Sequence, residues 1–367
     1  MNNTKIGTVE AILIILLAMV THTVLSMPKT LIENTKNSIL LNLIYVTIIV
    51  LLFVYVLYRL FKNFPGMDIL DISEILGGKL LKTLIGIIFI SYFLVSYSIF
   101  LRNFCECLKI VYYPSTDIIY VIIFFVFAVC LVNNLEFNAS IRTTVFMMPA
   151  VILSIFFLFF SSFRNFEPQN IFPILGDGIV NTFVAGIGNI FAFNGIIFLY
   201  FLPPLLKDSK SFKTVAISSV LLCSVYLILT VSIILFMFTF FLDNDQIMPL
   251  YTAATYIEFG SFFQRQESVF LLIWMVAFAC QISIIGNFST HIFKKISNIR
   301  NPKIMVYPFA GIMIAVSLLP ENYAVSKFYE TNIFPYLSIG IIFILSFFIL
   351  ILAYIKKRKA GDLKTYE

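Results

Sequence analysis

Apolar residues dominate this chain in ten long stretches, at 9–27, 38–60, 83–111, 117–133, 142–162, 178–206, 212–242, 266–293, 303–319 and 333–355. A transmembrane helix needs roughly 17–25 predominantly apolar residues. The pattern therefore predicts an all-α polytopic membrane protein with ten transmembrane helices. Between the stretches lie short polar segments, and the last is followed by a charged tail at 356–367. That leaves no room for a soluble catalytic domain, so the whole of 1–367 is expected to be one integral membrane domain.

Two of the stretches are interrupted. The sixth, IVNTFVAGIGNIFAFNGIIFLYFLPPLL, holds Gly186, Gly188, Asn189, Asn194 and Gly195 in its middle. Glycine costs about 1 kcal/mol against alanine inside a helix, and amides at membrane depth need partners that hydrocarbon cannot supply. A helix broken near the midplane is expected, and irregular backbone at that depth is tolerated only where protein or a polar cavity covers it. The first stretch carries Thr21, His22, Thr23 and Ser26 just before Pro28. Proline removes an amide donor and disfavours helix in the residue before it, although Thr and Ser also bond back to carbonyls one turn earlier without breaking a helix. Split five and five, the chain has an interrupted segment at the start of each half. That placement is the sequence pointer to an inverted repeat with its site near the midplane, the first repeat covering about 9–162 and the second about 178–355.

Composition agrees: 60% of residues are apolar and 12% charged, against about 25% charged in soluble domains. The net charge of +6 reads as topology rather than as nucleic-acid binding. Most of the basic residues, including Lys5, Arg59, Lys62, Lys79, Lys82, Lys294, Lys295, Arg300, Lys303 and the run Lys356–Lys359, fall on one side of the ten-span arrangement. By the positive-inside bias both termini are cytoplasmic, and the basic tail is suited to anionic membrane lipids. The five cysteines all lie in apolar stretches, where they act as small apolar residues. Cys105 and Cys107 point to different sides of a helix. No catalytic constellation, metal site or cofactor motif is readable, so an enzyme is not expected.

Smaller features add detail. Residues 68–76 form an amphipathic pattern in the second loop, ahead of Gly77 and Gly78. Arg102 and Glu106 are spaced for an i,i+4 ion pair near the outer end of the third span, as an outer gate or as an anchor reaching the interface. The connection at 243–265, with a short helix over Thr252–Phe259, is either a lid or a plain loop. No carboxylate faces the midplane in the predicted spans, which favours ligand sensing over ion-coupled uptake.

Several runs share a pattern with a known family. RNFCECLKIVYYPSTDIIY resembles the third-helix region of the B subunits of spore germinant receptors, and MDILDISEILGG resembles their cytoplasmic loop. NNLEFNASIRTTVFMMP, through Glu136, Arg142 and Pro149, is similar to the family's acid–arginine turn. IFPILGDG precedes the sixth helix as in the family, and PLYTAATYIEFGSFFQRQESVFLLIWMVAF resembles its outer loop and eighth helix, with Arg265, Glu267 and Trp274 in order. By these matches the chain looks like a GerAB/GerKB-like endospore germination permease, in the amino acid/polyamine/organocation permease superfamily. The resemblance implies a LeuT-type fold with broken first and sixth helices. It also implies a small germinant such as an amino acid, and a place in the spore inner membrane beside an A-type membrane subunit and a C-type lipoprotein. Where relatives often have glycines in the first helix, this chain has Thr21 and Thr23, which implies a smaller pocket with added hydroxyls.

Candidate ligand contacts are Thr21, His22, Thr23 and Ser26 from the first helix and Gly186, Gly188, Asn189 and Asn194 from the sixth. Tyr97, Ser283 and Asn287 are candidates for the rest of the polar wall, and Phe191, Phe193 and Leu101 for the apolar part. Freed N–H groups at half-helix N-termini suit a ligand carboxylate. His22 is read either as a proton sensor or as a neutral imidazole hydrogen-bonded across the break. Three functions remain open: a germinant sensor read by partner subunits, an ion- or proton-coupled amino acid permease, and a structural or pore-forming subunit with a vestigial pocket.

Overall fold

The computed structural model describes residues 5–23, 27–135, 137–238, 248–257 and 266–364, and its regular elements are helical. Among the described residues seven helical segments are long and apolar enough to cross a membrane: Met27–Phe61, Ile69–Tyr112, Phe137–Asn165, Ile179–Tyr200, Ser209–Met237, Gln266–Ser297 and Tyr323–Lys359. Three shorter apolar helices accompany them, Thr8–Val20, Ile118–Asn134 and Pro302–Ser317. The chain is an integral membrane protein.

Helix α1 (Thr8–Val20) stops where the polar cluster begins. A single 3₁₀ turn follows at Thr21–Thr23, and helix resumes as α2 (Met27–Thr35). The expected interruption is present, and its far side extends to Thr35 rather than ending at residue 27. A sharp turn at Lys36 then leads into α3 (Ile39–Phe61).

Helix α4 (Ile69–Tyr112) contains the amphipathic loop helix and the third span, separated by a kink. Gly78 sits at φ +70° there, a conformation that glycine adopts without the steric cost other residues meet. Asp68 caps α4 by accepting from the amides of Leu70 and Asp71 at 3.1 and 3.0 Å. Lys295 bridges Asp68 and Asp71 at 2.6 and 2.7 Å. Burial pushes the Asp68 carboxyl up to about 6, against the pull of Lys295.

Helices α5 (Ile118–Asn134) and α6 (Phe137–Ser162) follow. The sixth stretch opens with one short helix, α7 (Ile179–Phe183), and continues as a 3₁₀ helix over Ala185–Tyr200, distorted at Phe193. Sequence predicts a break here, and the structure instead tightens the backbone along the whole segment. Runs of 3₁₀ helix beyond 3–4 residues are uncommon and often mark hinges. At about 2.0 Å per residue instead of 1.5 Å, sixteen residues reach about 32 Å rather than about 24 Å. The glycines and asparagines that make a poor α-helix thus still span the hydrocarbon.

The remaining elements are α8 (Phe212–Met237), α9 (Pro249–Thr255), α10 (Gln266–Ser297) and α11 (Val306–Ser317). The sequence-read lid helix at Thr252–Phe259 corresponds in part to α9. Its end lies outside the described residues. The last span is α12 (Tyr323–Phe328), a π turn at Tyr329–Ile333, α13 (Phe334–Ser338), a second π turn at Ile339–Leu345 and α14 (Ser346–Lys364).

The two interrupted segments run antiparallel through the centre. Ile6 accepts from Lys207 at 3.0 Å and donates to the Leu205 carbonyl at 2.7 Å, tying the start of one to the end of the other. Midway, Gly195 lies against Ala18 and Met19: a Cβ there would stand 2.7 Å from Met19 Cγ and 2.9 Å from the Met19 amide nitrogen. At the far end Asn189 meets Leu31 and Asn34 of α2. Glycine at 195 is what allows that close approach. Helices α6, α8 and α10 pack around α1, and α3 and α8 around the 3₁₀ segment.

Candidate functional site

A cavity of about 200 Å³ opens between α2, the 3₁₀ segment and the last span. Its floor is apolar, from Met27, Leu31 and Phe191, and its polar wall carries Asn34, Asn189, Lys327 and Glu330. The volume is below the roughly 300–1,000 Å³ of sites for drug-sized ligands. It suits a small molecule.

Asn189 is the centre of the polar wall. It is buried, donates to the Asn42 side-chain carbonyl at 2.8 Å and accepts from the Asn34 amide at 2.9 Å. Asn42, on α3, donates in turn to the main-chain carbonyls of Thr182 and Gly186 at 2.7 and 3.0 Å. Those carbonyls sit where α-helix gives way to 3₁₀ geometry and the regular ladder is interrupted. A side-chain amide there supplies donors that lipid cannot. Gly186 is pressed against Asn42 and Thr35, with a Cβ placed 2.7 Å from Thr35 Cγ2, whereas a Cβ on Gly188 would meet nothing within 4 Å. The first glycine is required by packing, and the second faces open space in the cavity.

The opposite wall comes from the last span. Glu330, 5% exposed, lies in the π turn at Tyr329–Ile333. Its carboxylate accepts from Asn103 of α4 at 2.6 Å and pairs with Lys327 at 3.2 Å. π turns inside helices are often found at functional sites. Here the turn carries an ionised side chain into the protein interior, which hydrocarbon would penalise.

The sequence-read candidates separate into groups. Gly188, Asn189 and Phe191 line the cavity, and Gly186 adjoins it through Asn42. Thr21 lies deeper, bonded to the Leu17 carbonyl at 2.8 Å and to Gln281 of α10, which also donates to the Ala18 carbonyl at 3.2 Å. Its hydroxyl thus helps satisfy the end of α1 rather than lining the cavity. His22 is buried with its ring stacked on Phe100 at 5.5 Å and tilted against Phe191 at 5.9 Å. Among the described residues its ring nitrogens have no side-chain partner, and the main chain of Ala18, one turn back, is the polar group that acts on the ring. Thr23 belongs to the 3₁₀ turn, and Ser26 lies outside the described residues. Tyr97 and Leu101 of α4 and Phe193 of the 3₁₀ segment are buried, the Tyr97 ring lying edge-on to Phe100 at 5.4 Å. Asn194 is buried with its carbonyl oxygen unpartnered among the described residues.

Ser283 and Asn287 lie elsewhere. With Asn133 of α5 and Ser140 of α6 they form a separate cluster: Asn287 donates to Asn133 and to Ser140, each at 2.9 Å, and Ser283 bonds both. The cluster joins α5, α6 and α10 away from the 200 Å³ cavity. The Arg102–Glu106 pair forms at 2.8 Å, with Arg102 buried and Glu106 half-buried, and Arg102 also donates to the Ser317 carbonyl at 3.1 Å. It fastens α4 to the end of α11 rather than reaching out to an interface.

Comparison with known proteins completes the picture. Residues 5–326 match the family described as spore germination protein. The chain belongs to that family. This germination protein is 25% identical over 362 residues to spore germination protein A2 of Bacillus subtilis, covering 96% of this chain and 97% of the relative. It is 24% identical over 330 residues to spore germination protein YndE of the same organism, covering 87% and 88%. The family match ends one residue before Lys327, so the charged wall of the cavity lies beyond it.

Four polar residues of the site, Asn34, Asn42, Lys327 and Glu330, escaped the sequence reading. Asn42 stands alone in an apolar stretch, and its role depends on carbonyls about 140 residues away in the chain, at Thr182 and Gly186. Lys327 and Glu330 precede the last apolar stretch and read as loop. The signal available for them was the run KFYETNIF, free of Gly and Pro up to Pro335, which allows a helix to start earlier.

Proposed function

We propose that the protein is the membrane subunit of a spore germinant receptor, binding a small nutrient germinant, an amino acid by preference, in the cavity between its two interrupted segments. The observation that carries this reading is the cavity itself: about 200 Å³, bordered by α2 and the 3₁₀ segment, with the buried amide of Asn189 in its wall. Ligand binding would change the balance between two arrangements of these segments, and partner subunits would respond to that change. The partners are an A-type membrane subunit and a C-type lipoprotein, in the spore inner membrane.

The architecture proposed with it is ten crossings in two inverted halves of five, LeuT-type, with both termini cytoplasmic. The antiparallel course of the two interrupted segments supports it, since the first and sixth of ten alternating crossings must run in opposite directions. Each segment also departs from α geometry where the two halves meet, as in transporters with midplane sites.

The test is germination of spores in which Asn189 is replaced by leucine, with assembly of the receptor checked by co-purification. Loss of the nutrient response with the complex intact is expected. A normal response would refute the reading, and loss of assembly would favour the structural-subunit alternative.

One observation favours coupled transport as a second reading. Glu330 is a buried carboxylate in a membrane-spanning segment, a residue class that often marks ion pathways. Uptake of labelled amino acid into vesicles holding this chain alone would support it, and absence of uptake would remove it.

A further inference from the structure

The walls of the cavity differ in kind. The side made by α2 and the 3₁₀ segment offers uncharged amides, whereas the last span offers a cation at the end of α12 and, three residues on, an anion in the π turn that follows. Glu330 is held from behind by Asn103 of α4, so its position does not depend on Lys327 alone. Lys327 has three donors on its ammonium group, and one of them goes to Glu330. The pair is neutral overall and lies against a space of about 200 Å³, large enough for a small molecule.

Electrostatics then select the ligand. A molecule with only an ammonium or only a carboxylate would bring one uncompensated charge into a poorly solvated site, which is costly. An uncharged molecule would have to compete with the ion pair's own attraction without offering a charge in return. A molecule carrying both charges keeps the site neutral and adds charge-assisted hydrogen bonds at each end.

We propose that Lys327 and Glu330 form the head-group subsite of this cavity and bind a small zwitterion, its cationic end at Glu330 and its anionic end at Lys327. The amides of Asn34 and Asn189 complete the polar contacts, and Met27 and Leu31 meet the apolar remainder. This rests on the germinant-site reading for its biological meaning but not for its chemistry. The last span, through its π turn, becomes part of the recognition apparatus.

The test uses the full-length protein in lipid nanodiscs and calorimetric titration with the proteinogenic amino acids singly. The tightest binder is then compared with its carboxamide, which keeps the cation, and with the matching acid lacking the amino group, which keeps the anion. Both analogues are expected to bind at least about 10-fold more weakly. Glu330→Gln should weaken the amino acid by about 10–100-fold, the range of one charged hydrogen bond, and close the gap to the acid. Lys327→Gln should instead close the gap to the carboxamide, a crossed pattern that simple misfolding does not produce.

Gly188→Leu provides the control for folding. A side chain at 188 has open space, so this variant should fold and lose all binding. Amino acid binding that survives Gly188→Leu, or affinities unmoved in both charge variants, would overturn the subsite, as would failure of every amino acid to bind. If binding is lost in the variants and spores carrying them still germinate normally, the subsite stands and the receptor reading fails.

Discussion

Two clusters of asparagine and hydroxyl side chains lie inside this protein, and they do different things. In one, Asn34, Asn42 and Asn189 connect α2, α3 and the 3₁₀ segment beside a cavity. In the other, Asn133, Ser140, Ser283 and Asn287 bond mainly to one another and join α5, α6 and α10. Both avoid leaving polar atoms to lipid. The first also repairs a backbone, since Asn42 serves the carbonyls of Thr182 and Gly186, and it keeps one edge against open space. Residue type therefore does not identify a ligand site within a membrane. What separates the two clusters is the state of the neighbouring backbone and the size of the void beside each, about 200 Å³ at Asn189 and about 20 Å³ at Asn133.

That contrast can be tested by substitutions of decreasing effect. Asn42→Leu should be the most damaging, because two main-chain carbonyls and the Asn189 amide lose a partner; a loss of about 2–4 kcal/mol is expected in detergent unfolding. If it unfolds like the parent, the repair role is mistaken. Next comes a pair two residues apart. Gly186→Ala should cost about 1–3 kcal/mol through its contacts with Asn42 and Thr35. Gly188→Ala should be neutral or stabilising by up to about 1 kcal/mol, so equal thermal midpoints for the two would contradict the packing described for 186.

Asn287→Leu should lower stability by about 1–2 kcal/mol, since interhelical hydrogen bonds in membranes average about 0.6 kcal/mol and reach about 1.7. Its effect on ligand affinity should be smaller than that of Asn189→Leu, measured by the same titration. A larger effect would move the site towards α10. Ser283→Ala is the mildest, about 0.5 kcal/mol, and a severe defect there would mean the second cluster does more than hold helices together.

Much of the fold was legible because apolar stretches are long and polar gaps are short. Among the described residues, the seven helical segments long and apolar enough to cross a membrane, and the three shorter apolar helices, each fall on a stretch read from sequence. The stop at Val20 follows from Thr21, His22 and Thr23 ahead of Pro28. The sixth segment was legible as irregular but not in form: glycine and asparagine weaken an α-helix without dictating what replaces it, and the 3₁₀ course depends on Asn42 and on close contact with Met19. The site was legible on one side only. Gly188, Asn189 and Phe191 stood out within an apolar run. Lys327 and Glu330 did not, because a charged residue near the end of a span is ordinarily at the interface, and here Asn103 and the π turn bring Glu330 inside. Ser283 and Asn287 were visible as polar residues at depth, but their partners on α5 and α6 could be known only from the packing.

The single pair of backbone bonds at Ile6 gives the protein a mechanical coupling. Where the chain enters α1 it is fastened to the chain leaving the 3₁₀ segment, so these two strands of the central pair share an anchor at one end while their opposite ends border the cavity. Any bending of either segment about that fastened end would displace most the ends that border the cavity, where the Asn34–Asn189 hydrogen bond joins them.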